Sequence, residues 1–211
     1  QSSDDDCWVK NTLEETFYQT YNALLNYNRS FGSHNVSLMA GLTGEKTGYE
    51  KYYQYRKGIA NDELDDINLG DVTTAEATGG RNEVGMISWI GRLNYDYKGI
   101  YLLEGLFRRD GSSRFSKNNR WANFYGLSAG IRFSEFEFVK NWNVFDNLKL
   151  RGSYGETGSQ GGIGQYDYYS TISKGNTVFG FDGTKVNTAW ISSMTSEDRT
   201  WERVSTTNVA V

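Results

Sequence analysis

The densest run of chemically capable side chains lies at residues 108–120, where Arg108, Arg109, Arg114, Lys117 and Arg120 surround one carboxylate, Asp110. Guanidinium groups grip carboxylates, phosphates and carbonyls through directed hydrogen bonds. Five cations beside one anion repel unless neighbouring groups hold them, so the run is expected to be an ordered turn with Asp110 as its internal partner. The alternative is a mobile basic loop that touches phosphate. A second set is aromatic: Tyr49, Tyr52, Tyr53, Tyr55, Tyr166, Tyr168, Tyr169 and Trp190 sit among Asn and Asp. Ring faces stack on sugars while amides and carboxylates take hydroxyls, and the same rings pack equally well loop against loop.

Other chemistry is poorly provided for. His34 is the single histidine and falls beside a tight turn, and no Gly-x-Ser-x-Gly elbow accompanies it. Gly158, Gly161, Gly162 and Gly164 lack the Gly-Lys-Ser/Thr of a phosphate loop. Asp62, Glu63, Asp65, Asp66 and Asp71 have the charge for calcium but not the spacing of an EF-hand. Cys7 alone makes neither an internal disulfide nor a cysteine zinc cluster. With 26 acidic residues, carboxylate pairs for glycoside hydrolysis are unavoidable and uninformative. No catalytic residue, cofactor or metal site is expected. A net charge of −4 gives no general basic face for nucleic acid.

The elements that carry these residues are strands. Fifteen Tyr and 24 Gly in 211 residues, with 37% hydrophobic residues, disfavour a helical bundle. Period-two alternation marks residues 17–27, 36–42, 87–97, 100–109, 125–133, 148–154 and 204–211. Weaker candidates lie at 166–173 and 177–181. Trp89 and Leu93 alternate with Arg92, Leu127 and Ile131 with Arg132, and Leu150 with Arg151. Lys98-Gly99 suits a two-residue hairpin turn, with Tyr95, Tyr97 and Tyr101 clustered about it.

Connection lengths alternate. Residues 30–33 and 98–99 are tight, whereas 43–83, 110–121 and 156–203 are long, polar and glycine-rich; 134–147, on the tight side by parity, is longer than expected. No apolar run approaches the 18 residues of a membrane helix, a test that spanning strands escape. Long connections at one end and short ones at the other match a membrane β-barrel, with hydrocarbon toward lipid, charge toward the lumen and Tyr/Trp at the interfaces. The fold expected is all-β, an antiparallel up-and-down transmembrane β-barrel segment of about seven or more strands. A soluble β-rich glycan-binding module and, less favoured, a β-fold glycoside hydrolase are the competing readings, and both need apolar faces buried in a core.

The string YLLEGLFRRDGSSRFSKNNRW at 101–121 closely resembles a signature of the SusC/RagA-like TonB-dependent transporters of the Bacteroidota outer membrane. Its central residues are Arg108, Arg109, Asp110, Gly111, Ser112, Ser113, Arg114 and Phe115. NYNRSFGSHNVSLMAG (26–41), GRLNYDYKGIYLL (91–103), NLKLRGSYGETGSQ (147–160) and TWERVSTTNVAV (200–211) resemble successive barrel segments in the family's order. Tyr125 departs from the pattern, since the family commonly has proline there, and this chain has none. The resemblance implies a 22-stranded barrel of which residues 1–211 form one part, without the plug, the TonB-contacting segment or the closing strands. It further implies import of oligosaccharides or peptides, a SusD-like surface lipoprotein as lid, energy from TonB through the absent segments, and contact with outer-membrane lipid and lipopolysaccharide. The eight loop aromatics are then the expected ligand or lid contacts.

Overall fold

Each alternating run finds its partner in the next one along the chain. The computed structural model describes residues 7–60, 63, 65–178, 185–192, 195 and 198–211. Its strands are β1 (Trp8–Phe31), β2 (His34–Lys57), β3 (Glu76–Tyr97), β4 (Tyr101–Ser112), β5 (Trp121–Arg132), β6 (Lys149–Ser159), β7 (Ile172–Val178), β8 (Lys185–Ile191) and β9 (Glu202–Ala210). Seven form one sheet in the order β1-β2-β3-β4-β5-β6-β9, and β7 pairs with β8 separately. The pairing from β3 onward is antiparallel throughout. At 12, 12 and 11 residues, β4, β5 and β6 have the length a tilted strand needs to cross a bilayer.

Register fixes the two faces. Tyr97 pairs with Tyr101, Tyr101 with Ile131 and Ile131 with Leu150. Because side chains alternate, Trp89, Leu93, Leu127, Ile131 and Leu150 share one side, and Arg92, Arg132 and Arg151 the other. Asn35 donates from Nδ2 to Asp96 Oδ1 at 3.1 Å and so joins the charged side, which puts Leu38, three residues on, with the apolar set. The apolar side is not packed into an interior: Trp89 is 53% and Leu127 62% exposed.

The chain divides into two compact units, residues 1–20 with 45–84 and residues 21–44 with 85–211. In the first, Lys46 pairs with Glu83 at 3.2 Å, Arg81 with Glu50 at 3.0 Å, and Lys51 with Glu14. These exposed pairs tie strand to strand but add little stability individually. Hydrogen bonding to Lys51 holds the Glu14 carboxyl below its ordinary value. Of the expected loop 43–83, residues 43–57 and 76–83 are strand. Tyr, Lys and Glu occupy both faces there, so no apolar contrast marks the period. Two 3-10 turns lie in the true connection: Asp66 caps one at Asn68 N and Asp71 the other at Thr73 N. Those two carboxylates are thus turn caps, and Asp62 lies outside the described residues.

In the second unit the turn after β3 takes three residues, 98–100, instead of two, with Lys98 and Gly99 at φ of 55° and 69°. The connection 133–148 carries a 3-10 turn (Phe133–Glu135) and one helical turn, α1 (Glu137–Lys140), too short to leave a period in sequence. Of the weak candidates, 166–173 is turn or irregular chain as far as residue 171 and meets β7 only at Ile172 and Ser173, while 177–178 close that same strand; β8 lies in neither candidate, and residues 179–181 lie outside the described residues.

A sheet with this much exposed apolar surface is expected to associate in water. Produced alone in aqueous buffer, the 211-residue chain should elute from size exclusion as aggregate or need detergent. A monodisperse, strand-rich monomer without detergent would contradict a sheet with one side open to lipid.

Candidate functional site

The signature run folds into a knot between β4 and β5. Asp110, 5% exposed, accepts from Arg108 Nε at 2.7 Å, and Arg108 Nη2 donates to the buried Ser88 at 3.3 Å. Ser112 is fully buried; its Oγ donates to Gln160 Oε1 at 2.6 Å, and its N–H donates to the Arg120 carbonyl at 3.2 Å. Ser113 and Gly85 exchange two hydrogen bonds, Gly85 N to Ser113 Oγ and Ser113 N to Gly85 O, each 2.9 Å. Arg114 Nη1 reaches the Ile163 carbonyl in the connection after β6. The expected ordered turn, with Asp110 as internal partner, is what forms.

An apolar pin locks the knot. Phe115, 1% exposed, lies 5.0 Å from the Trp201 ring, and Phe124 meets Trp201 edge-on at 5.9 Å. Trp201 donates from Nε1 to the Arg120 carbonyl at 3.0 Å, so the ring buries itself without stranding its N–H. Close approach explains two glycines. A Cβ on Gly111 would stand 2.7 Å from the Trp121 ring, and one on Gly158 would stand 2.1 Å from the Phe124 ring. Arg109 lies 5.2 Å over the ring of Trp121 and Arg203 5.4 Å over that of Phe124, so these cations rest on aromatic faces. Gln160, Ile163 and Trp201 went unmarked in the sequence because they lie 45 or more residues from Phe115, and only folding brings them to it.

The sheet bears a hollow of about 660 Å³ of mixed lining, with Asn35, Asp96, Glu104 and Arg151 beside Leu102 and Leu103. Arg92 bonds Glu104 at 2.6 Å across β3 and β4. Glu104 was obscured in sequence by Leu102 and Leu106, which share its side of β4. Hydrophilic groups fixed in pairs on one side suit a water-filled or plugged lumen.

The loop aromatics separate. Tyr49, Tyr52, Tyr53 and Tyr55 belong to the first unit, on β2 rather than a loop. Lys10 sits 4.3 Å over Tyr53, and Trp8 lies 5.8 Å from Tyr55. Tyr166, Tyr168, Tyr169 and Trp190 belong to the second unit, where Tyr168 and Tyr169 are 4.3 Å apart and Tyr166, Tyr169 and Trp190 are exposed. Burial pushes the Tyr168 hydroxyl above its ordinary value, helped by its hydrogen bond with Tyr169. His34 is engaged with tyrosines: its Nδ1 shares a 2.7 Å hydrogen bond with Tyr95, and its ring lies 4.6 Å from that of Tyr97.

No family model matches the chain. It is 33% identical to the TonB-dependent receptor SusC of Bacteroides thetaiotaomicron over 97% of its length, and 32% identical to a TonB-dependent receptor of Formosa agariphila over 91%. The fold superposes on the RagAB peptide transporter with a TM-score of 0.83, at 23% identity, over 95% of the chain. Over nearly its whole length the chain is similar to one segment of SusC-type TonB-dependent receptors, and it shares the fold of the matching part of RagAB. It spans about a fifth of the length of the curated relatives it matches, 20% of the first and 18% of the second, and 22% of the RagAB chain. In this SusC/RagA-like segment the strands form an open antiparallel sheet, and the signature run is the turn that ties the connections after β6 and before β9 to it. The matched proteins carry names of receptors and transporters, not of enzymes.

Truncating a buried aromatic generally costs about 3–5 kcal/mol. Phe115→Ala in the full-length protein should therefore lower the urea midpoint in vesicles and open residues 108–120 to protease, whereas the exposed Lys117→Ala should stay within about 0.5 kcal/mol of the parent. Equal behaviour of the two variants would show that Phe115 pins nothing.

Proposed function

We propose that the chain supplies part of the wall and outer turns of an outer-membrane importer that takes up oligosaccharides or peptides, captured with a SusD-like surface lipoprotein and released inward by TonB. The carrying observation is that from β3 to β6 Trp89, Leu93, Leu127, Ile131 and Leu150 share one unburied side while Arg92, Glu104, Arg132 and Arg151 share the other. Lipid on one side and an aqueous lumen on the other is the environment that stabilises such a sheet. The soluble glycan-binding module and the β-fold hydrolase both need those apolar residues inside a core, and Trp89, Leu93 and Leu127 are outside one. Similarity to the TonB-dependent receptor SusC, and a fold shared with the RagAB peptide transporter, support the importer reading.

Substrate choice, on this reading, belongs to the aromatics Tyr49, Tyr52, Tyr53, Tyr55, Tyr166, Tyr168, Tyr169 and Trp190, as contacts to ligand or to the lipoprotein lid. Tyr166, Tyr168 and Tyr169 sit in a connection, where side chains vary without disturbing the strands, whereas Tyr49, Tyr52, Tyr53 and Tyr55 stand on β2 and Trp190 on β8. Exposed Tyr and Trp present flat faces to sugar rings or apolar peptide side chains, and neighbouring Asn and Asp complete the hydrogen bonds.

Exchanging residues 43–83 and 161–200 for those of a relative, in the full-length transporter with its lipoprotein, should move the uptake preference toward the donor's substrate with assembly intact. Unchanged preference after both exchanges would reject the assignment of specificity to these segments.

A further inference from the structure

We propose that residues 133–145, between β5 and β6, form an interfacial anchor that seats in the phospholipid headgroup layer at the short-turn end of the barrel; the inference rests on the membrane-barrel reading above. The segment is pinned from beneath. Val139 is 2% exposed and Ser134 6%, the Ser134 N–H donates to the Leu148 carbonyl at 3.2 Å, and Trp142 N–H closes onto the Val139 carbonyl at 3.0 Å. Its outer side is apolar and open: Phe138, Trp142, Val144 and Phe145 are 55%, 58%, 72% and 47% exposed. A short polar turn is all that joining β5 to β6 requires, so these side chains are not explained by the connection itself.

Continuity with the apolar side of the sheet identifies the occupant as lipid. Tyr97 and Tyr101, on that side, lie 6.3 Å apart, and Tyr101 meets Phe136 edge-on at 6.4 Å. Phe136 stacks on Phe138 at 5.7 Å, and Phe138 meets Trp142 edge-on at 6.0 Å. One unbroken line of rings thus runs from the turn at 98–100 onto the segment. Tyr and Trp concentrate where the apolar body enters the bilayer and the polar tip stays wet. The adjoining polar groups suit that depth, since Lys140 and Glu135 neutralise each other at 3.1 Å. The single helical turn is too short to bind a membrane as a free amphipathic helix and acts only because the sheet end holds it in place.

The test uses the full-length transporter with its native cysteines replaced, reconstituted in phospholipid vesicles and carrying one nitroxide at Phe138→Cys, Trp142→Cys, Leu127→Cys or Lys117→Cys. Collision with oxygen is compared with collision with a water-soluble nickel chelate. The ratio at Phe138 and Trp142 should be several-fold above that at Lys117 and below that at Leu127, the depth of a headgroup boundary. Ratios at both positions matching Lys117, or labels shielded from both quenchers as beneath a protein partner, would overturn the anchor while a lipid-exposed Leu127 preserves the barrel reading. A water-exposed Leu127 would overturn both. A label-free check is quenching of tryptophan emission by lipids brominated near the headgroup: Trp142→Phe should lose part of that quenching, and an unchanged signal would count against the anchor.

Discussion

Backbone pairing between consecutive strands is the constraint on which everything else in this protein depends. A sheet exposed to hydrocarbon has no water to satisfy an unpaired N–H or C=O, so each strand must find its partner along its whole spanning length. That requirement replaces the usual role of a core. Among the described residues the buried hydrophobic side chains are few, Val9, Ile59, Phe115, Ala122, Phe124, Val139 and Trp201, and none of them lies in the middle of the spanning sheet. The register from Tyr97 and Tyr101 through Ile131 to Leu150 does the organising instead, and it sorts charge from hydrocarbon without any interior packing.

Packing is confined to the ends. Beyond β4 and β5, where the backbone ladder gives way to connections, Phe115, Phe124 and Trp201 build a small apolar pin inside a shell of buried serines and paired arginines. Beyond the opposite ends of the same strands, Val139 and Ser134 seat the helical turn α1. Each cluster closes a place where strand pairing alone would leave polar backbone exposed. Three arginines of the signature run are held structurally, Arg108 by Asp110, Arg114 through Nη1 by the Ile163 carbonyl and Arg109 over the Trp121 ring, while the Nε groups of Arg114 and Arg120 are buried without a hydrogen-bond partner among the described residues. Rigid ends of this kind allow the remaining connections to vary while the wall stays fixed.

The sequence by itself determined the spanning wall. Alternation at 87–97, 125–133 and 148–154 fixed strand identity and the division of Trp89, Leu127 and Leu150 from Arg92, Arg132 and Arg151, because a period of two maps directly onto two faces. It also raised the signature turn as one of two readings, since five cations around Asp110 needed local partners, and the contacts of Asp110, Ser112 and Arg114 decided for the ordered one. Residues 43–57 of β2 and 76–83 of β3 escaped it, because side chains such as Lys46, Tyr49 and Glu83 are polar enough for either face and leave no contrast to read. Only the tertiary structure decided that Gln160, Ile163 and Trp201 meet the signature turn, that Asp66 and Asp71 cap turns, and that Phe136, Phe138 and Trp142 continue the line of Tyr97 and Tyr101. The physical reason is range: alternation is a property of adjacent residues, whereas most of these contacts depend on where pairing of the intervening strands delivers residues tens of positions apart.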